Sequence, residues 1–436
     1  MPFATIENIY EIYLQCGNKV CTDSRNIQNG SLFICLKGPS FNGNRFATEA
    51  LQKGAKYVIS DEKEYVTDPK ILLVGDCLKT LQELAALHRK SIPVQILGIG
   101  GSNGKTTTKE LCFAVVSSAF KTHATTANLN NHIGVPMTIL ELTGNEDLAI
   151  VEMGTNHPGE MKVLCDITNP DFGIVTNVGK EHLEGFGDLE GVAREESELF
   201  LNLIQNRGIG FVNVDDAWLG SMSKRMNHSI TYGIENAADV QGRVLQSMPT
   251  LKYEISFRQK TYGPFDAQIG GVYNFYNILS AFALGFQLGM QPDAIGAAVA
   301  AYHPTNNRSE WLKLGKYQIL LDAYNANPSS MSAALEEFAK LPGTKAVMLG
   351  DMLELGTASE LEHLQIFDLC KSLNLDEIYL CGNEFGKVAG AFPQKFEQSA
   401  ELYHWLSAHP TNADYILIKG SRGMKMETVL QSFQKE

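Results

Sequence analysis

The sequence predicts an α/β protein of three domains: a small mixed α/β domain (1–91), a central P-loop domain with a doubly wound parallel sheet (92–303) and a Rossmann-like α/β domain (304–436). Three observations predict it. At about 150 residues per domain, 436 residues divide into roughly three units, each large enough for its own core. Between Val94 and Ala301, and again between Tyr317 and Lys419, strand-length apolar runs alternate with helical stretches, the pattern of parallel sheets covered on both faces. Finally, the apolar run Ile96 to Ile99 breaks into Gly100-Gly101-Ser102-Asn103-Gly104-Lys105-Thr106-Thr107 and enters a helix.

That last stretch reads as a phosphate cradle. Glycines let backbone N–H groups approach phosphate oxygens, Lys105 offers a point charge, the Thr106 hydroxyl can ligate Mg²⁺, and a helix from Thr107 adds its positive dipole end. The strict spacing asks for a glycine five residues before Gly104, where Ile99 stands. A plain strand-to-helix turn with an incidental lysine is the competing account.

Composition narrows the partners. A net charge of −13 argues against nucleic acid or an anionic membrane, so an anionic ligand needs local positive charge from Lys105, helix ends and metal. The eight cysteines form no CxxC pair and mostly sit in apolar runs, which predicts reduced core residues. With no basic-then-apolar leader and no window of 18 apolar residues, a cytoplasmic protein without membrane insertion is expected.

In the first domain, Lys56 to Ser60 and Ile71 to Val74 read as strands and Leu78 to Arg89 as a helix. Thr22-Asp23-Ser24-Arg25 either holds a polar ligand or is a capped turn with a surface ion pair. Ser91-Ile92-Pro93 marks the boundary.

The central strands are Val94 to Ile99, Leu148 to Met153, Phe172 to Asn177 and Ile209 to Asn213. Ligands of such sheets collect beyond the carboxyl ends of strands, where Glu152, His182 and Glu195-Glu196-Glu198 fall. Glu152 with Thr106 fits one Mg²⁺, and His182 with a carboxylate fits a second. The glutamate group otherwise complements a helix dipole. Residues 230 to 268 read as an antiparallel excursion. Beyond it, Asn274 and Asn277 share a helix face that either meets an adenine edge or, through Asn274, caps the helix.

Tyr302 to Arg308 is polar and broken by Pro304, a second joint. Tyr317 to Asp322, Ala346 to Leu349, Glu377 to Cys381 and Tyr415 to Lys419 are the strands of the last domain. Loops following them, Asp322 to Met331, Gly350 to Gly356 and Lys419 to Arg422, are where binding residues gather.

Together these residues resemble the Mur ligases, the ATP-dependent amide-forming enzymes of peptidoglycan synthesis. The likeness rests on Thr22 to Arg25, Gly101 to Thr107, Asn128-Leu129-Asn130-Asn131 with Ile133 to Pro136, Val151 to Gly154, Glu181 to Glu184, Asn274, Asn277, Asp322 to Met331 and Lys419 to Arg422. Tyr324 to Pro328 with Glu354-Leu355-Gly356 looks like the branch that joins D-alanyl-D-alanine to UDP-N-acetylmuramoyl tripeptide. The family form of the loop also lacks the early glycine.

The resemblance implies a UDP-sugar domain, an ATP domain and a domain for the incoming dipeptide, closing on hinges near Pro93 and Pro304. It implies ATP held by Gly101, Ser102, Asn103, Gly104, Lys105, Thr106, Thr107, Asn274, Asn277, Arg308 and Asp322. Ser24, Arg25, Asn128, Asn131, Asn325 and Asn327 are expected to bind the substrates. A pair of Mg²⁺ ions is implied beside Thr106, Glu152 and His182, with Lys105, Glu152, His182 and Glu196 as the catalytic set. In many relatives a carbamoylated lysine bridges the metals from the position of Glu196. A glutamate there predicts a water-mediated contact to the second metal or a shifted helix. Action as a monomer is expected. Folylpolyglutamate synthase chemistry is disfavoured by Thr22 to Arg25 and the Tyr324 loop. The missing Asp-Asn-Pro-Arg run disfavours the diamino-acid-adding relative. A nucleotide-binding scaffold without ligase activity is favoured only by Glu196.

Overall fold

A computed structural model describes residues 3–434 and contains three parallel-cored sheets. In the first, strands Val20–Cys21, Leu32–Ile34, Tyr57–Ser60 and Ile71–Leu73 lie side by side, all parallel. Helix Cys77–Ser91 follows, capped by the Asp76 carboxylate accepting from the Lys79 N–H at 2.8 Å. Among the described residues no helix is long and apolar enough to cross a membrane.

The central sheet has nine strands. Gln95–Gly100 lies in its middle, flanked by Leu148–Glu152 and Phe172–Val175, with Ile209–Asn213 and Ser229–Gly233 continuing in parallel on one side. Buried on both faces, Gln95–Gly100 reads as a continuous apolar run instead of an alternating one. Its last residue allows a close approach: a Cβ on Gly100 would meet Glu196 Oε2 at 2.7 Å, so helix Leu189–Asn206 lies tight against the strand end.

The sheet departs from expectation at its edges. The excursion of residues 230 to 268 is antiparallel, but its strands Val240–Gln246, Lys252–Phe257 and Lys260–Asp266 extend this same sheet. Thr122–Ala124 adds a far edge strand that its half-exposed, polar sequence does not announce. The helix behind the phosphate turn starts at Lys105, two residues before Thr107, because Gly104 takes the left-handed conformation and breaks the turn there.

In the third sheet Tyr317–Asp322, Tyr415–Lys419, Lys345–Gly350 and Glu377–Cys381 are parallel, with the antiparallel edge Glu310–Leu314. All eight cysteines are free and buried, as the apolar context predicts.

Side chains tie the units together. Leu183, which follows the central strand Phe172–Val175, is only 9% exposed and packs in the apolar cluster of Met331, Ala334, Met352 and Leu355. Lys180 pairs with the buried Glu362 at 2.6 Å. On the other side, Arg89 reaches from the first unit to the carbonyls of Thr168 and Asn169 and to Asp171 Oδ2 at 2.9 Å. Asp171 Oδ2 also accepts the Ile96 N–H at 2.8 Å, so the contact bears on the start of the cradle strand. The guanidinium is buried but the Asp171 side chain is 42% exposed, so losing Arg89 costs its hydrogen bonds to two carbonyls more than it strands a charge. Arg89→Ala is therefore expected to destabilise the protein by about 2 kcal/mol, read as a lowered urea midpoint with an unchanged slope.

Candidate functional site

The phosphate turn is held from behind. Gly101 adopts φ +109°, and a Cβ there would meet Thr176 Oγ1 at 2.2 Å, so only glycine fits. Its N–H donates to Glu196 Oε2 at 2.5 Å, while Glu196 Oε1 accepts the Thr155 hydroxyl at 3.0 Å. The preceding residue of the helix, Glu195, accepts the N–H groups of Gly159 and Met161 at the start of helix Glu160–Thr168. Two adjacent carboxylates thus fasten the two loops that frame the site. Burial pushes the Glu196 carboxyl up to about 7; nearby Lys105 opposes the shift and Glu181 adds to it.

On the open side, Lys105 donates to the carbonyls of Gly101 and Ser102 and lies 3.4 Å from Glu181 Oε2. Burial alone lowers its pKa, but Glu181, Glu196 and Glu152 outweigh burial and hold it above the ordinary lysine range. The ammonium stays charged. Asn177 braces the turn from the neighbouring strand end, accepting the Asn103 N–H at 3.1 Å and donating to the Asn103 carbonyl at 2.8 Å.

Glu152, at the end of its strand, accepts the Thr106 hydroxyl at 3.1 Å and the Asn130 amide at 2.9 Å on Oε1. Its Oε2 is buried and accepts no hydrogen bond, with the Lys109 ammonium 3.8 Å away. Glu181, 4% exposed, likewise has a buried Oε1 without a partner. The His182 Nδ1–H donates to Glu354 Oε2 at 2.7 Å, and this hydrogen bond lowers the Glu354 pKa. Its Nε2 lies 3.9 Å from Glu181 Oε2.

Among the described residues no three His, Cys, Asp or Glu side chains form a ready-made metal cage. The donor set nevertheless suits Mg²⁺. Carboxylate oxygens buried without partners, next to a threonine hydroxyl, are hard ligands left over for a cation that completes its shell with waters and phosphate oxygens.

A cavity of about 740 Å³ opens over these groups between the central and third units. It gathers Ser102 to Thr107, Glu152, His182, Asn274, Asn277, Arg308, Asp322, Asn325, Asn327, Asn128 and Asn131. Ser24 and Arg25 are not among its lining; the Arg25 side chain is 85% exposed and pairs with Asp23 at 2.8 Å, a surface ion pair in a turn. Glu196 is also absent from the lining; one of its oxygens accepts the Gly101 N–H and the other the Thr155 hydroxyl.

Several expected binders have work inside the protein. Asn277 accepts the Thr108 hydroxyl at 3.1 Å and donates to Asn274, which donates to the Gly270 carbonyl at 2.8 Å. These amides brace the helix behind the cradle, and Asn274 lies inside helix Val272–Gln287 instead of capping it. Asn131 accepts the Gly134 N–H at 2.9 Å. Asn327 caps helix Pro328–Ala339 and donates to Asn103 Oδ1 at 2.8 Å, joining the third unit to the phosphate turn. Asp322 pairs with the buried Lys419 at 2.5 Å. Arg308 lies 3.6 Å over the Tyr324 ring and has no carboxylate partner among the described residues, leaving a cation aimed at the cavity.

Sequence reasoning quoted Asn130, Asn177 and Glu181 within motifs or strand ends without giving them a role, and passed over Lys109. Lys109 had a signal, since it stands four residues after Lys105 on the same helix face. Asn177 and Glu181 had one too, as polar residues beyond a parallel strand.

Comparison with known proteins agrees with this architecture. The model of the Mur ligase family catalytic domain matches residues 18–99, the Mur ligase middle domain residues 99–285, and the Mur ligase glutamate ligase domain residues 307–422. The UDP-N-acetylmuramoyl-tripeptide–D-alanyl-D-alanine ligase of Escherichia coli K12 is 35% identical, over 95% of this chain and 93% of the relative. That of Bacillus subtilis 168 is 32% identical, over 94% and 92%. Among solved structures, MurF of Acinetobacter baumannii superposes with a TM-score of 0.87 at 27% identity, over 96% of this chain and 93% of that one. MurF ligase of Thermotoga maritima in complex with ADP gives 0.87 at 25% identity, over 97% and 98%. Matched along nearly its whole length by relatives of one kind, the chain belongs to the Mur ligase family.

Proposed function

We propose that this protein is the ATP-dependent ligase that joins D-alanyl-D-alanine to UDP-N-acetylmuramoyl tripeptide. The observation that carries the reading is the charged Lys105 on a glycine turn facing a cavity that is closed on its other side by Asn325, Asn327 and Arg308. Near-full-length similarity to ligases of that name supports the choice of substrates.

A free carboxylate resists an amine at neutral pH, since it carries repelling charge and has no leaving group. Phosphorylation removes both obstacles. The terminal carboxylate oxygen of the tripeptide attacks the γ-phosphorus of ATP, the bond to the β–γ bridging oxygen breaks, and ADP leaves with that electron pair. The amine of D-alanyl-D-alanine then attacks the acyl carbon, the carbon–oxygen bond to phosphate breaks, and the amine proton passes to base or solvent.

The chain's part is binding, orientation and charge. Lys105 leaves the loop carbonyls to take the outer phosphates, and the turn's N–H groups line the same oxygens. Thr106, Glu152 and His182 would hold Mg²⁺, which supplies charge neutralisation for the transferring phosphoryl group. Arg308 adds a cation from the third unit. Glu354 orients His182 by binding Nδ1, leaving Nε2 toward the site. The contacts of Asn327 and Leu183 keep the walls together, excluding water from the acyl phosphate. The first unit, with its small parallel sheet, is assigned the UDP sugar.

ADP release is expected only when UDP-N-acetylmuramoyl tripeptide and D-alanyl-D-alanine are both present, measured in a coupled assay; release with a folate acceptor or with neither substrate overturns the reading. Lys105→Ala is expected to cut turnover by about 100-fold or more while the far-ultraviolet circular dichroism stays that of the folded parent.

A further inference from the structure

Two glutamates near Lys105 divide the labour in a way their sequence positions do not suggest. Glu196 is fully buried, is absent from the cavity lining and accepts a hydrogen bond on each oxygen, from the Gly101 N–H and the Thr155 hydroxyl. Glu181 lines the cavity and has one oxygen, Oε2, beside Lys105 and within 3.9 Å of His182 Nε2, while the other, Oε1, is buried with no donor. An ionised carboxylate oxygen shut away from water without a partner is unfavourable, and a divalent cation is the partner that relieves it. Glu152 shows the same signature at the opposite wall, where its Oε2 has no hydrogen bond.

We propose that Glu181, not Glu196, is the carboxylate that joins His182 Nε2 on a second divalent cation once nucleotide is bound, Glu196 being a buried anchor of the phosphate turn. The assignment rests on the ATP reading of the site. Three features carry it. Glu181 lines the cavity and has an oxygen with no donor, whereas each Glu196 oxygen already accepts a hydrogen bond from a loop and the residue is absent from the lining. His182 has its Nδ1 engaged by Glu354, so Nε2 is the nitrogen left for a ligand. And Lys105, the present partner of Glu181 Oε2, is the group that a triphosphate draws away, which frees the second oxygen when the cation arrives with its phosphates.

The test is a Mn²⁺ titration of the full chain holding a β,γ-imido ATP analogue, with free Mn²⁺ followed by electron paramagnetic resonance. The parent protein is expected to bind two Mn²⁺. Glu181→Gln should weaken the second by about tenfold or more, and Glu196→Gln, whose side-chain carbonyl can still accept the Gly101 N–H, should weaken it several-fold less. Glu181→Asp, which keeps the charge but withdraws it by a methylene, should fall between and stands in if Glu181→Gln does not fold. The assignment is overturned if the parent holds a single Mn²⁺, if Glu196→Gln releases the second ion while Glu181→Gln keeps it, or if Glu181→Gln binds both ions like the parent. In the last case a change in analogue affinity in EDTA identifies Glu181 as a partner of Lys105 alone. If the parent fails to bind the analogue at all, it is the ATP reading that falls.

Discussion

The hydrogen bond from the Gly101 N–H to Glu196 is the contact on which the cradle depends. A glycine turn is loose by nature, and this one is fixed by a carboxylate that reaches it from behind a parallel strand, through the gap left where Gly100 has no side chain. The arrangement is costly, because a carboxylate out of reach of water is tolerated only with donors and neighbouring positive charge. Gly101, Thr155 and Lys105 provide them, so the turn, the helix and the lysine are mutually dependent.

The same economy explains how an acidic chain can receive a polyanion. Lys105, Lys109 and Lys419 each sit beside a carboxylate, and Arg308 lies against an aromatic face. The positive charge is local, enclosed and counterbalanced, so that it acts over a few ångströms where screening is weak and leaves the net charge of −13 untouched.

The fold class was legible because strands buried on both faces, such as Gln95–Gly100 and Leu148–Glu152, are continuous apolar runs bounded by helices. Edge strands were not, since Thr122–Ala124 is short and half-exposed and owes its strand form to its neighbour. In the site, the turn residues and Glu152 could be read from residue type and position. What could not be read is which oxygen each carboxylate has spare. Glu195, Glu196 and Glu181 are chemically alike in the sequence, and only packing decides that two of them tie loops and the third faces the cavity. Ser24 and Arg25 lie in the first unit, outside the cavity over the cradle, with Arg25 paired to Asp23 at the surface, so their expected substrate role stays as the resemblance implies it.

The way Asn327 touches Asn103 has a mechanical side. Separating the third sheet from the central one has to break that amide contact, the Lys180–Glu362 pair and the His182–Glu354 pair in one movement, while pulling Leu183 out of an apolar cluster. Lys180, His182 and Leu183 all lie on one short stretch of chain, and Asn103 adds a fourth point from the phosphate turn. The two lobes are therefore pinned along one seam, much as a snap fastener holds cloth.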